Sequence, residues 1–542
     1  MLSIDQNCHP LWDTVPKLQA LVAKGIRVTH YIEDVDVAFT ALGSTVDDEV
    51  LHLARERFHR SGGQDWGAAL FYAEFLGRLP VDIRHWEPVT GLKTNTLARQ
   101  LGRSVDDLYD EFSPGDTWQL IGSSYIGDRL HHRVIGDLSV AETRHFVHEL
   151  RRRARDHMLA TFPRKDSQER LGRWLKHEDT RVERLLAARA GHRLVDLYHD
   201  WLREDIPSGL LRLGLTSSLF ALGADPARTA LLEMFLRDYA HASALYNQAI
   251  EETDSELRPL KRSDGELPFF AILEHQGHLV RTAMFLRDGE MLLGEHGIPV
   301  GADGAMPVDA LANVGVQAMC GKALLLVIQA RLGQGGGPLA LPYRGSLYMP
   351  AVDRLAAKLA ADGLLPGTLH PLVRVRFHLL DRIAELDTPI RLPAHLAPYF
   401  GRDEIPARDL AAAYPELAAD AAERLDTLRC PRARQAWQRE NLPELMAALD
   451  DNEARRRALA HADTTPEQMS DIWQHTKALQ QELLDKTLRQ VARDTQARDL
   501  DYWDSRGALW PWAIALGGEA FYQHLIESAE VYEEPVPSLP AT

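Results

Sequence analysis

Residues 268–294 constrain the fold of this chain more than any other stretch. Phe269-Phe270-Ala271-Ile272-Leu273, the run from Leu279 to Leu286 and Glu290-Met291-Leu292-Leu293 are apolar, and Gln276-Gly277 and Asp288-Gly289 punctuate them. Two-residue turns ending in glycine join antiparallel strands, so this stretch predicts a three-stranded β meander. The chain cannot be all helix, although most of the remaining sequence has helical periodicity.

Residues 139–247 read as almost wholly helical, with Asp225-Pro226 as one clear helix start. Residues 305–400 return to helices with shorter extended pieces and a glycine cluster, Gly333-Gln334-Gly335-Gly336-Gly337-Pro338. Earlier, Gly25 to Ile32 has the β-branched alternation of a strand, with a helix expected over 46–60 and a second strand over 116–121. Residues 94–112 form two short helical patterns joined at Gly102. The second is acidic where a DNA-reading helix would be basic or neutral, so a simple helical corner is expected.

Towards the end, Thr465 caps a long amphipathic helix, with Pro466 in its first position and Gln468 reaching back. Met469, Ile472, Leu479, Leu483, Leu488 and Val491 keep one apolar stripe, giving a helix of roughly 50 Å with an antiparallel partner expected within 411–460. Trp503, Trp510 and Trp512 follow, expected to pin the end of that helix to the body, and then an acidic tail expected to fray. The expected class is thus helix-rich α/β, with a mixed region over 1–205, a helical and meander region over 206–400, and a helical, coiled-coil-like arm with an aromatic closing segment over 401–542.

Length and composition suit an ordinary globular protein: 542 residues, 45% hydrophobic and 26% charged. No window reaches the apolar run of roughly 18–20 residues that spans a bilayer, so no membrane partner is expected. The first residues lack the basic and apolar pattern of a secretory signal, and Cys8, Cys320 and Cys430 are few and far apart. Both features are read as a cytoplasmic location. A net charge of −17 repels phosphodiester backbones, so nucleic acid is not an expected partner.

The segment Gly122-Ser123-Ser124-Tyr125-Ile126-Gly127-Asp128-Arg129-Leu130-His131-His132 follows directly on an expected strand. Glycines there let a backbone approach a ligand, while Asp128, His131 and His132 supply an acid and two groups that titrate near neutrality. These three are the catalytic candidates, with Gly122, Ser123, Ser124 and Tyr125 as substrate ligands. The glycine cluster adds Gly335 and Gly336, followed by Arg344 as an anion anchor and Ser346 as a donor. It lacks the Gly-Lys-Ser/Thr ending of a P-loop.

Glu-x-x-His, which puts two metal ligands on one helical face, occurs at Glu49/His52, Glu56/His59 and Glu142/His145. With 23 histidines in the chain, one or two such pairs arise by chance, and no metal site is assigned. Glu274-His275-Gln276-Gly277-His278 reads as a solvated turn of the meander.

In layout the chain resembles the cysteine-adding enzyme family of bacillithiol biosynthesis. The comparable pieces are Thr90-Gly91 with Lys93 and Leu97-Ala98, the loop Gly335-Gly336-Gly337-Pro338, and the helix from Pro466. The family's Gly-Gln-Gln after the threonine is replaced here by Gly91-Leu92-Lys93. The resemblance implies a Rossmann-like core, a C-terminal coiled coil and shared ancestry more than a shared substrate.

The expected function is a small-molecule biosynthetic enzyme of ligase or group-transfer type, acting on an anionic or amino-acid-like substrate in a cleft between 115–137 and 333–348. The cofactor is unknown, with a nucleotide as one candidate. A metal-dependent oxygenase or hydrolase using the Glu/His pairs is the first alternative. The second is a non-catalytic helical interaction protein, with a homodimer through the arm as one form of it.

Overall fold

The computed structural model describes residues 1–4, 14–38, 86–105, 107–108, 122–123, 131–253, 257–333, 335–343, 348–392, 396–459, 465–501 and 509–534. The chain divides into two compact units, one from residues 1–75, 117–382 and 502–542, the other from 76–116 and 383–501. The strands expected over 116–121 and the helix over 46–60 lie outside the described residues, as does Trp503.

The strands, in chain order, begin with β1 (Leu2–Ile4), β2 (Val28–Ile32), β3 (Val37–Ala38), β4 (Gly122–Ser123), β5 (His131–Arg133) and β6 (Leu211–Leu215). Then come β7 (Glu266–His275), β8 (His278–Arg287), β9 (Glu290–Leu293), β10 (His296–Pro299) and β11 (Val316–Gly321). The rest are β12 (Leu339–Pro342), β13 (Leu372–Arg376), β14 (Pro389–Arg391), β15 (Glu404–Pro406) and β16 (Glu530–Glu533).

In the larger unit, one sheet runs β16-β13-β12-β1-β2-β6, with β16 antiparallel and the other five parallel. The chain winds outward from β1 through β2 to β6, then returns to the opposite side of β1 for β12 and β13. The central strands β1, β12 and β13 are short and almost continuously buried, as parallel strands covered on both faces are. Where a polar side chain enters, a neighbour receives it: buried His30 on β2 pairs through Nδ1 with the hydroxyl of Ser3 on β1 at 3.0 Å.

Two expectations need correction here. Leu211–Leu215 falls within the stretch read as almost wholly helical, yet it is β6, because Leu-Arg-Leu-Gly-Leu alternates with the period of a strand. Gly214 is required by the contact itself: a Cβ there would sit 2.9 Å from the Tyr31 ring on β2. The acidic tail does not fray over Glu530–Glu533, which is fixed as β16 on β13, with Arg374 donating to Glu534 at 2.8 Å.

The second sheet, β11-β7-β8-β9-β10 with β5 on β8, is antiparallel and contains the expected meander as β7, β8 and β9. Its turns work because Gln276 and Gly277 both have positive φ (52° and 80°), as do Asp288 and Gly289 (51° and 79°). That geometry matches the twist of the strands it joins. Glu266 fastens the start of β7. It accepts from both terminal nitrogens of Arg258 (3.0 and 2.6 Å), from the Lys261 N–H (2.9 Å) and from the partly buried Lys322 ammonium (2.9 Å), just past β11. Burial opposes the charge on Glu266, but these donors outweigh it and hold its pKa at about 2.

Helices Pro226–Arg237, Tyr239–Glu252, Leu324–Arg331 and Met349–Ala361 pack with these sheets into one apolar core, with Phe235 edge-on to Phe269 at 5.7 Å. Trp510 stacks on Tyr522 at 5.3 Å and meets Trp174 edge-on, while Trp512 meets Phe162. These tryptophans are core residues of the larger unit.

In the smaller unit, helix Pro466–Arg498 is 33 residues long and opens with the expected capping box between Thr465 and Gln468. Helices Ala407–Arg429, Pro431–Asn441 and Pro443–Leu459 run against it in the opposite direction. Arg424 bonds Asp494, Gln438 bonds Thr487, and Asn452 bonds Thr476 and the Ile472 carbonyl. Helix Thr94–Leu101 ends at Gly102 (φ 70°) as expected of a corner, and Gln481 donates to the Gln100 carbonyl. No helix among the described residues is long and apolar enough to cross a membrane.

Candidate functional site

In open α/β sheets, ligands gather beyond the carboxyl ends of the strands, where the winding direction reverses. Here the reversal lies at β1, flanked by β12 and β2. The chain leaves β2 through Glu33-Asp34-Val35-Asp36, and all three acidic residues are buried. Asp34 accepts from the Ser217 N–H (2.8 Å) and hydroxyl, just past the end of β6, and Thr216 donates to the Ile32 carbonyl. The Asp34 carbonyl accepts from the Gly136 N–H at 2.8 Å, and a Cβ on Gly136 would lie 2.9 Å from that oxygen. The acidic turn is thus clamped on two sides by backbone.

Arg281 on β8 reaches into the cluster, donating to Asp36 at 2.9 Å while its guanidinium sits 3.4 Å from the Phe270 ring centroid. Directly across from Arg281 on β5 is His132, also buried. Cys320 on β11 completes the group. Burial pushes the Glu33 carboxyl well above its ordinary range, and the charges of Asp36 and Asp34 push it further. Burial also raises Asp34, against the pull of Ser217. Burial, then Glu33 and Asp34, drives the Cys320 thiol well up. Burial thus strengthens the hold of these acids on a proton, the direction of shift that general acid-base work uses.

On the other side of β1 the edge carries arginines set among acids, Arg374 being paired with Glu534. Arg376, the last residue of β13, lies over the ring of Tyr343, the residue after β12, at 4.2 Å. Arg374 is buried and donates to the Pro342 carbonyl at 3.1 Å. His378 follows with φ 55°, uncommon for a residue with a side chain. Its Nδ1 and Nε2 are each 3.1 Å from a carboxylate, of Asp381 and Glu530.

The expected site residues fall around this edge unevenly. His132 lies in the acidic cluster through Arg281, and His131 opens β5 opposite Thr282. Gly122 and Ser123 form β4, paired with β3 immediately after Asp36. Ser124, Tyr125, Asp128, Arg344 and Ser346 lie outside the described residues. The Gly335 N–H donates to the Asp225 carboxylate at 3.2 Å, and a Cβ on Gly333 (φ 78°) or Gly336 would collide with Asp225 or the Leu332 carbonyl respectively. The anion that this glycine loop receives is the protein's own Asp225, at the start of helix Pro226–Arg237.

Glu33, Asp34, Asp36 and Arg281 escaped the reading of motifs. An acidic run directly after an expected strand was the available signal. Among the described residues, no group of three or more His, Cys, Asp or Glu is disposed to hold a metal ion. Of the Glu-x-x-His pairs, the first two lie outside those residues. Glu142 is occupied by the Ser139 cap and by Arg133 at 3.0 Å, which overcome burial and draw it down to about 2. No protein-family model and no curated protein matches the chain.

Proposed function

We propose that the chain is a small-molecule biosynthetic enzyme of ligase or group-transfer type, acting on an amino-acid-like substrate at the carboxyl edge of a Rossmann-like sheet. The observation that carries this reading is the placing of acids and a base on the two sides of β1: Glu33 and Asp34 beyond β2, Arg376 at the end of β13. Three strand spacings, about 14 Å, separate β2 from β13, a span suited to a substrate with an ammonium at one end and an anionic or activated group at the other. The acidic end holds the ammonium, Glu33 moves the proton, and Arg281 with His132 fixes the charge of the neighbouring Asp36. Arg344 and Ser346, which follow β12 in the sequence, are the anion ligands at the end marked by Arg376.

Winding outward from β1 in both directions supports the Rossmann-like assignment, and the long helix with antiparallel partners supports a coiled-coil-like arm. Both agree with kinship to the cysteine-adding enzymes. Residues 5–13, which follow β1, contain no glycine, so a G-x-G-x-x-G pyrophosphate loop is not part of this proposal.

Thermal shifts against amino acids, thiols and nucleotides test it. A true ligand at a hundredfold excess over its Kd adds about 2.7 kcal/mol. Asp34→Asn should raise Kd at least tenfold, cutting that shift to about 1.4 kcal/mol or less at the same ligand concentration, and Glu33→Gln should keep the shift and lose turnover. No shift with any member of the three classes refutes the reading. A docking role for the helical arm has one observation in its favour, Trp473 at 64% exposure; sedimentation of Trp473→Ala beside the unaltered chain decides whether that side chain holds two copies together.

A further inference from the structure

Helices Lys165–Ala188 and Leu194–Asp205 of the larger unit bury three charged side chains together, none of which belongs to the carboxyl-edge cluster. Arg181 donates through Nη1 to Asp205, and through Nη2 to Asp205 at 3.2 Å and to Glu178 at 2.5 Å. The side chains of Glu178, Asp205 and Arg181 are only 3%, 4% and 9% exposed. The guanidinium also lies over the Trp201 ring, 5.8 Å from its centroid. Two carboxylates thus share one guanidinium, with little water to screen them.

Arginine keeps its charge, so the cluster carries one net negative charge unless one of its acids holds a proton. An uncompensated charge in the interior costs more than protonating an acid. Asp205 is the acid placed to take that proton. It is the last residue of its helix, where the helix dipole disfavours an anion, and Glu204 beside it adds a further carboxylate, paired with Arg184 at 2.6 Å. Burial accordingly pushes the Asp205 carboxyl up to about 7 against the pull of Arg181, and Glu178 and Glu204 add to the rise. The other groups that face the cluster lie on helix Glu519–Ser528. Burial and then Glu178 raise Glu519, with His177 opposing, while burial and then Asp205 raise the Tyr522 phenol.

That helix is tied to the cluster through one side chain. Gln19, on helix Thr14–Ala23, donates to the Asp205 carbonyl at 3.1 Å and accepts from the Tyr522 hydroxyl at 2.6 Å. We infer that Glu178, Arg181 and Asp205 form a proton-operated latch: with one proton the cluster is neutral and helix Glu519–Ser528 stays seated, and loss of that proton loosens the helix. Asp205 binds its proton more tightly in the fold than in an open chain, where its ordinary value is 3.8. The stabilising effect is therefore complete below about pH 4 and is lost as pH rises through about 7. The latch uses none of the residues assigned to the proposed reaction, so each reading can fail without the other.

Hydrogen exchange of the full chain, read by mass spectrometry and corrected for the intrinsic pH dependence of exchange, tests it. Protection of residues 519–528 should fall about tenfold or more between pH 5 and pH 8. Helix Met349–Ala361, which makes none of these contacts, should change less than about threefold over the same interval. Asp205→Asn mimics the protonated acid at every pH, and Glu178→Gln leaves Arg181 with a single carboxylate. Each removes the odd charge and should abolish the fall, and if only one of the two variants folds, that one decides. Constant protection of 519–528 in the unaltered protein, an equal fall in Met349–Ala361, or a fall that persists in a folded variant of either kind would each overturn the latch.

Discussion

Replacing Glu266 with glutamine should cost the protein about 3 kcal/mol at pH 7. The magnitude comes from the interval between the ordinary glutamate value of 4.5 and about 2 in the fold, at 1.36 kcal/mol per pH unit. Little discount for solvent is needed, since the side chain is 6% exposed. The variant keeps the shape of the carboxylate but leaves the partly buried Lys322 ammonium beside a neutral amide; losing one partner of a fully buried pair costs about 3–5 kcal/mol, and this pair lies at the low end. Because the folded value is the lower one, the contribution is complete above pH 4.5 and fades as pH falls towards 2. The gap between the two proteins should therefore narrow to about 2 kcal/mol at pH 3.5. Urea unfolding followed by tryptophan fluorescence at both pH values measures it. A gap under about 1 kcal/mol at pH 7, or one that does not narrow at pH 3.5, refutes the claim that Glu266 is held ionised by its donors.

Three further outcomes are expected. Gly333→Ala, which combines φ 78° with a Cβ 2.1 Å from the Asp225 carboxylate, should lower stability by more than about 2 kcal/mol in urea unfolding. Asp494→Ala, which strips Tyr399, Arg424 and Gln490 of a fully buried acceptor, should cost about 2–4 kcal/mol and make helix Pro466–Arg498 more sensitive to limited proteolysis. Iodoacetamide at pH 7 should label Cys430, whose thiol is exposed and drawn down by the Ala433 and Arg432 N–H groups, and should spare buried Cys320 until urea is added; peptide mass mapping separates the two.

Local chemistry made part of this fold legible. The meander could be read because Gln276-Gly277 and Asp288-Gly289 carry their conformation in their own side chains, and the long helix because Thr465, Pro466 and Gln468 encode its first turn. β6, β12, β13 and β16 are four or five residues long in a parallel or edge setting, where strand and helix are hard to tell apart and only the distant partner decides. The candidate site divides in the same way. His132 stood out as a titratable group after a glycine-rich segment. Its partner Arg281 looked like one polar residue in an apolar strand, because the reason for its charge, Asp36, lies far away in the sequence. Glu33 and Asp34 became informative only once β2 had a direction and a reversal point beside it.

The pairing of β1 with both β2 and β12 also sets a timetable. Leu2 finds Thr29 almost at once during synthesis, but its other neighbour, Leu339, follows on the order of half a minute later at roughly 5–20 residues per second. Throughout that interval one flank of β1 is an unpaired strand edge, the surface on which chains join one another. Val373 waits again for Glu533, on the far side of the smaller unit in the sequence. Yield in a cell should thus depend on chaperones that shield this edge, and slowing translation between residues 30 and 339 should increase aggregation while the finished protein's stability stays the same.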